Sequence, residues 1–223
     1  GELTPDTVRV ALGLKSRAGV TSPIVVPDRP PQLCAGCPHT DTFNALKAVL
    51  ADMVQTSRGV VTGDIGCYTL GALPPLQAIE TCVCMGASIG MAKGASDAGI
   101  RPAVATIGDS TFLHSGIPPL IDAIACDTDM TVVILDNEVV AMTGAQPTMM
   151  PSSRLKGVLL GLGVPEAHCH VLEAHPKHHA ANVEIIRQEL AHPGLSVIVA
   201  VRECVEALRG KKTAAKAAVE VMA

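Results

Sequence analysis

Ala103-Val104-Ala105-Thr106-Ile107-Gly108-Asp109-Ser110 is a short run of small and β-branched residues that ends abruptly in oxygen-bearing side chains. Thr131-Val132-Val133-Ile134-Leu135-Asp136-Asn137 repeats the pattern further along. Each run has the length and composition of a strand buried on both faces. The carboxyl ends of parallel strands share one edge of a sheet, so Asp109 and Asn137 would stand there together as hard oxygen ligands. Such a pair suits Mg2+ bound to a diphosphate. Gly108 would let a phosphate approach the backbone, and the helical segment after Ser110 would turn its amides and dipole toward the anion. A second reading stays open: a tight turn with Asp109 as a helix cap, and an unrelated Asn at a strand end.

On either side of these runs, helix and strand patterns alternate. Phe43, Leu46, Val49 and Leu50 recur at helical spacing and predict a helix over 39–53, followed by a strand over 59–64 and a Gly- and Pro-rich loop through Pro75. Further helices are expected over 86–99, 116–126, 155–161 and 180–191, and strands over 103–107, 131–135, 170–172 and 195–201. In the first of these helices, Gly90, Ala92, Gly94 and Ala95 would allow close approach to a neighbour. The alternation predicts an α/β fold, an open, mostly parallel sheet with helices on both faces. Residues 1–31 read as an N-terminal helix over 2–14, with Thr4 as N-cap and Pro5 at the first helical position, then a linker marked by Pro23, Pro27, Pro30 and Pro31. Residues 32–209 form the expected main domain, and 210–223 an Ala/Lys-rich tail expected to fray. The opening Gly1 suggests a processed product or a piece of something longer.

A chain of 223 residues that is 48% hydrophobic can bury a full core. Its net charge of −4 argues against nucleic acid, and no apolar run reaches the roughly 20 residues of a membrane span. The start is not a signal peptide, so the expectation is a cytoplasmic, soluble protein. With two Phe, one Tyr and no Trp, the core must rely on Ala, Val, Ile, Leu and Met.

Eight cysteines in such a chain argue for metal binding or buried thiols rather than disulfides. Cys34-Ala35-Gly36-Cys37 stands at the mouth of the first main-domain helix, Cys67 follows the strand over 59–64, and Cys204 follows the last strand. Those positions could bring four thiolates together for a [4Fe-4S] cluster or a tetrahedral zinc. Burial of Cys67 and Cys204 as small apolar residues is the competing reading. Cys82, Cys84, Cys126 and Cys169 are assigned to packing. His168, His170, His175, His178, His179 and His192 are assigned to solvated loops and surface.

Five segments in order carry a resemblance: Leu33-Cys34-Ala35-Gly36-Cys37-Pro38-His39, Gly63-Asp64-Ile65-Gly66-Cys67-Tyr68-Thr69-Leu70-Gly71, Cys84-Met85-Gly86-Ala87-Ser88-Ile89-Gly90, Ile107-Gly108-Asp109-Ser110-Thr111-Phe112, and Asp136-Asn137 through Ala141-Met142-Thr143-Gly144-Ala145-Gln146-Pro147. Together they resemble the thiamine-diphosphate domain of 2-oxoacid:ferredoxin oxidoreductases, nearest to the large subunit of the indolepyruvate branch. The likeness runs from about Gln32 to Cys204. It implies a thiamine-diphosphate-binding fold and oxidative decarboxylation of a 2-oxoacid, with coenzyme A taking the acyl group and electrons leaving singly through iron–sulfur clusters to ferredoxin.

The resemblance implies Mg2+ held by Asp109, Asn137 and the carbonyl of Val139, and a [4Fe-4S] cluster held by Cys34, Cys37, Cys67 and Cys204. It places Gly108, Ser110 and Thr111 at the diphosphate, and Asp64, Gly66, Cys67, Met85 and Gly86 along the cofactor. Met142 and Thr143 would face substrate. His39 could act in proton transfer, since the ordinary histidine pKa near 6.5 suits that work, or could merely cap its helix. Val139-Val140 replaces the branch's usual Thr-Thr, which could reshape the pocket. The glutamate that activates the cofactor's aminopyrimidine, and further clusters, would come from partner subunits. A non-oxidative thiamine-dependent 2-oxoacid decarboxylase subunit, and a non-catalytic iron–sulfur or zinc assembly subunit, are the rival readings.

Overall fold

The computed structural model describes residues 4–17, 24–25, 30–53, 59–211 and 213. Contacts separate a unit ending at Pro30 from one beginning at Pro31. The first holds α1 (Pro5–Ala11), started by a reciprocal cap in which the Thr7 amide donates to Thr4 Oγ1 at 3.2 Å and the Thr4 amide to Thr7 Oγ1 at 2.7 Å. The helix is shorter than the span expected, and none of its residues is buried. Most of the expected Pro-rich linker and nearly all of the tail lie outside the described residues.

The second unit runs α2 (Pro38–Met53), β1 (Val60–Gly63), β2 (Thr81–Cys82), α3 (Ala87–Asp97), β3 (Ala103–Gly108), α4 (Asp109–Thr111), α5 (Ile117–Ala125), β4 (Met130–Asp136), β5 (Val139–Val140), β6 (Gln146–Pro147), α6 (Ser152–Leu162), β7 (Cys169–Glu173), α7 (His179–Ala191) and β8 (Leu195–Val201). Six strands form one parallel sheet in the order β2-β1-β3-β4-β8-β7, and β5 and β6 pair as a small antiparallel hairpin. The chain leaves β1 for β2 on one side and returns to β3 on the other. Open α/β sheets bind ligands in the crevice at such a reversal.

Alternation along the strands sorts the core into two layers. Val133 and Leu135 of β4 with Ile198 and Ala200 of β8 pack under α2 and α7, against Phe43, Leu46, Val49 and Ile186. Val132 and Ile134 with Val197 and Val199 face α3, α5 and α6, against Ile89, Leu120 and Leu159. Every residue of β3 and β4 is buried, as strands covered on both faces require.

Several local expectations change. The loop through Pro75 contains a 3-10 helix, Cys67–Ala72, and β2 was not anticipated because two residues carry no periodicity. A Cβ at Gly90 or Gly94 would touch nothing, so these glycines do not serve close packing; Ala92 fills the buried face of α3 instead. Of the cysteines assigned to packing, Cys169 is buried, whereas Cys84 and Cys126 are exposed. Met130 is the only methionine among the described buried residues, and Phe43, Phe112 and Tyr68 are all buried.

Three of the six histidines, His168, His170 and His192, are less solvated than their spacing suggests. His168 Nδ1 lies 2.9 Å and His170 Nε2 2.7 Å from the carboxylate of Glu189, Ser196 Oγ donates to it at 2.6 Å, and His192 stacks on His168 at 3.5 Å. Glu189 is buried in α7, so these bonds tie the start of the edge strand β7 to the layer above. Burial opposes its ionisation, but the bonds from Ser196, His168 and His170 win and hold the carboxyl below its usual range. Glu189→Gln is therefore expected to cost about 2–4 kcal/mol at neutral pH. The wild-type advantage in urea denaturation should be full above the unfolded pKa of about 4.3 and fade as pH falls through the lower folded value. Equal urea midpoints for the two proteins at neutral pH would contradict this role.

Candidate functional site

The carboxyl ends of β1, β3, β4 and β8 converge on one edge. Asp109, the first residue after β3, is buried; its Oδ1 accepts the Ser110 amide at 2.8 Å and its Oδ2 the Glu138 amide at 3.0 Å. The same Glu138 amide, in a left-handed residue at φ +64°, also donates to Asp136 Oδ1 at 3.2 Å. Burial and the neighbouring Asp136 carboxylate push Asp109 up to about 7. Two buried carboxylates thus face each other, and among the described residues neither forms a salt bridge with a cationic side chain. That donor set fits a divalent cation.

Asn137 follows directly on β4, its Oδ1 accepting the Val139 amide at 3.2 Å and its Nδ2 donating to His39 Nε2 at 3.3 Å. His39, in the first turn of α2, is buried, and burial together with the Arg202 charge lowers it to about 4. It is therefore neutral at physiological pH and offers its Nε2 lone pair, not the near-neutral titration of an ordinary histidine.

A cleft of about 200 Å³ opens over these groups. Of the residues singled out in the sequence, His39, Gly66, Cys67, Met85, Gly108, Asp109, Ser110, Thr111, Asn137, Val139, Met142 and Thr143 line it. Asp64 and Gly86 do not. The Asp64 carboxylate accepts the amides of Ile65, Gly86 and Ser88 at 2.9, 2.8 and 3.1 Å, which secures the start of α3 and the loop carrying Met85. Gly86 holds φ +86° with Ser115 against the place where a Cβ would stand.

Tyr68 was not singled out, yet it shapes the floor. Its ring edge would come within 2.4 Å of a Cβ at Gly66 and 2.5 Å of one at Gly108, so both glycines make room for this ring. The Tyr68 ring by itself demands glycine at 108. The phenol donates to the Ile65 carbonyl at 3.0 Å and lies within hydrogen-bond reach of the Gly108 amide and the Thr111 hydroxyl. A lone tyrosine set between two glycine-bearing motifs was the available signal.

Beside the cleft lies a second cavity of about 130 Å³, lined by Cys34, Cys37, Cys67 and Cys204 together. His39, Cys67, Asn137 and Ala141 line both cavities. Cys37 and Cys204 are buried, Cys67 is half-buried and Cys34 is exposed. Burial pushes Cys37 up to about 11, while hydrogen bonds from the His39 and Thr40 amides and the start of α2 pull the other way. Burial also raises Cys67 and, with the Glu206 charge, Cys34. Among the described residues no three Cys, His, Asp or Glu side chains converge closely enough to hold a single metal ion. Four thiols thus line one cavity, with no three of them set for a single ion.

Residues 64–200 match the family described as thiamine pyrophosphate enzyme, C-terminal TPP binding domain. The chain belongs to that family. Asp109 and Asn137, the oxygen-bearing residues at the two strand ends, stand in this matched segment. Similar curated proteins are the indolepyruvate oxidoreductase subunits IorA of Archaeoglobus fulgidus (38% identical over 188 residues, 80% of this chain and 29% of that protein), Pyrococcus abyssi (39%; 81% and 30%) and Methanothermobacter marburgensis (35%; 94% and 36%). The chain thus spans about a third of the length of these relatives.

Among solved structures, a 2-oxoglutarate:ferredoxin oxidoreductase from Magnetococcus marinus superposes with a TM-score of 0.67 at 16% identity, covering 80% of this chain and 66% of that one. A benzoylformate decarboxylase from Polynucleobacter necessarius gives 0.53 at 17% identity, over 85% and 38%. At such identities the likeness concerns the fold. No helix among the described residues is long and apolar enough to cross a membrane.

Proposed function

We propose that this chain is the thiamine-diphosphate-binding part of an oxidoreductase that decarboxylates an aryl 2-oxoacid, of the indolepyruvate kind, to its acyl-coenzyme A and passes the electrons to ferredoxin. The observation that carries the reading is the shared wall of the two cavities: His39, Cys67, Asn137 and Ala141 line both the cofactor cleft and the cavity of the four thiols, Cys67 being one of the four. A plain decarboxylase has no use for such thiols. Kinship with the IorA proteins supports the reading.

Asp109, the Asn137 amide oxygen and the Val139 carbonyl would hold Mg2+, and Ser110 and Thr111 at the start of the α4 turn would meet the diphosphate. Cys34, Cys37, Cys67 and Cys204 would hold a [4Fe-4S] cluster. When bound, thiamine diphosphate supplies the electron sink for decarboxylation and the cluster a one-electron acceptor. His39, neutral and with its Nε2 lone pair taken by the Asn137 amide, would fix Asn137 at the wall of the cleft, where Met142 and Thr143 would meet the substrate.

Ile65, Met85 and Met142 line the cleft and stay 41%, 48% and 68% exposed, an apolar mouth suited to an aryl side chain. The cleft's volume of about 200 Å³ falls short of the roughly 300–1,000 Å³ of enclosed ligand pockets. Partner subunits or further domains would close it, supplying the aminopyrimidine-activating glutamate and other clusters, in the cytoplasm. The test is the anaerobically purified complex, given indolepyruvate, coenzyme A, thiamine diphosphate and Mg2+ with a viologen dye. Coenzyme-A-dependent dye reduction is the expected result; aldehyde release without dye reduction would put a non-oxidative decarboxylase in its place.

A further inference from the structure

Arg202 stands in the loop after β8, and its side chain reaches across to the C-x2-C segment. Nη1 donates to Asp41 Oδ2 at 2.7 Å and Nη2 to the Gly36 carbonyl at 2.6 Å, with both charged side chains four-fifths buried. Its own amide donates to the Asp136 carbonyl at 3.0 Å, and two residues on the Cys204 amide donates to the Asn137 carbonyl at 3.3 Å. The segment 202–204 therefore grips the loop bearing Cys34 and Cys37 with its side chain, and the loop bearing Asn137 with its backbone. A planar, forked, permanently charged group suits this double contact, which the single ammonium of lysine cannot reproduce.

We infer that Arg202 is a positioning residue for the thiol site: it clamps the Cys34–Cys37 loop against Cys204 and offsets the Asp41 carboxylate, which would otherwise stand unpaired near whatever the four thiolates hold. The inference rests on the cluster reading above. Removing the Arg202 charge leaves the Asp41 carboxylate unpaired, and an unpaired negative charge near a reducible cluster disfavours its reduced, more negative state and so lowers its potential. Clamp and charge offset are separable, because lysine keeps the charge while losing one of the two contacts.

The test uses the purified complex carrying Arg202→Gln or Arg202→Lys. Redox titration follows the paramagnetic signal that Cys204→Ala removes. A second arm strips the iron and measures capture of Cys34 and Cys204 by a short bis-alkylating thiol reagent, read by mass spectrometry. Arg202→Gln is expected to move the potential to more negative values and to reduce thiol capture several-fold. Arg202→Lys should hold the potential near wild type while capture falls. An Arg202→Gln complex that merely loses iron, with the remaining clusters at the wild-type potential, overturns the charge offset, and unchanged capture overturns the clamp. A wild-type complex with no such signal refutes the cluster reading itself, and the capture arm then decides the clamp alone.

Discussion

Asp109→Asn is expected to weaken thiamine diphosphate binding in the presence of Mg2+ by about 100-fold or more, since on the proposed assignment it removes a direct metal ligand, where loss of supporting partners alone costs 10–100-fold. Asparagine keeps the shape and one acceptor oxygen, so it can take one of the Ser110 and Glu138 amides that Asp109 now accepts on separate oxygens. The loss would therefore be one of charge, with a single amide contact given up beside it. Stability supplies the control. Burial first, and then the facing Asp136, lift the folded pKa of Asp109 to about 7, above the unfolded value of about 3.9. A carboxyl raised in this way favours folding most below its unfolded pKa and destabilises progressively as pH rises toward the folded one. In metal-free buffer the wild type should lose stability between about pH 4 and pH 7, and Asp109→Asn should escape that part of the loss. Calorimetric titration with the cofactor and thermal melts across pH read the two effects separately. Retained cofactor affinity, or a variant that melts well below wild type at pH 7, would contradict the assignment.

Cys204→Ala is expected to remove the iron bound by this chain and bring 2-oxoacid-dependent dye reduction to background, while thiamine diphosphate affinity stays within about threefold of wild type. The separation follows from the backbone. Cys204 meets the Asn137 loop through its amide, and its carbonyl accepts the Leu208 amide at 3.0 Å to open the helical turn over 205–211. Alanine keeps both bonds. Cys169→Ala, in a buried thiol on the far edge strand and outside the cavity, should leave iron content unchanged. Iron retained in Cys204→Ala would remove Cys204 from the ligand set, and cofactor loss in the same variant would show that the two cavities depend on each other for folding.

The sheet was legible in the sequence because its central strands are buried on both faces and so read as unbroken β-branched runs ending in Asp109 and Asn137. Parallel order then placed those ends, with Cys67 and Cys204, on one edge. What escaped depends on contacts between distant residues that no local pattern encodes. Asp64 looked like a cofactor neighbour, but its carboxylate is occupied by the amides at the start of α3. The ring that demands glycine at 108 is forty residues earlier in the chain, beyond any local pattern. Spacing alone described His168 and His170 as surface groups, because Glu189 approaches them from another element. His39 was given an ordinary pKa, since neither its burial nor Arg202 is visible in its neighbourhood in sequence.

The most direct test of a thiamine site joined to a four-thiolate site is an iron, sulfide and thiamine diphosphate assay on one anaerobically purified sample of the complex. The account predicts about four irons with one thiamine diphosphate per copy of this chain, after clusters carried by partner subunits are subtracted. One thiamine diphosphate without iron, in material kept free of oxygen, would contradict it.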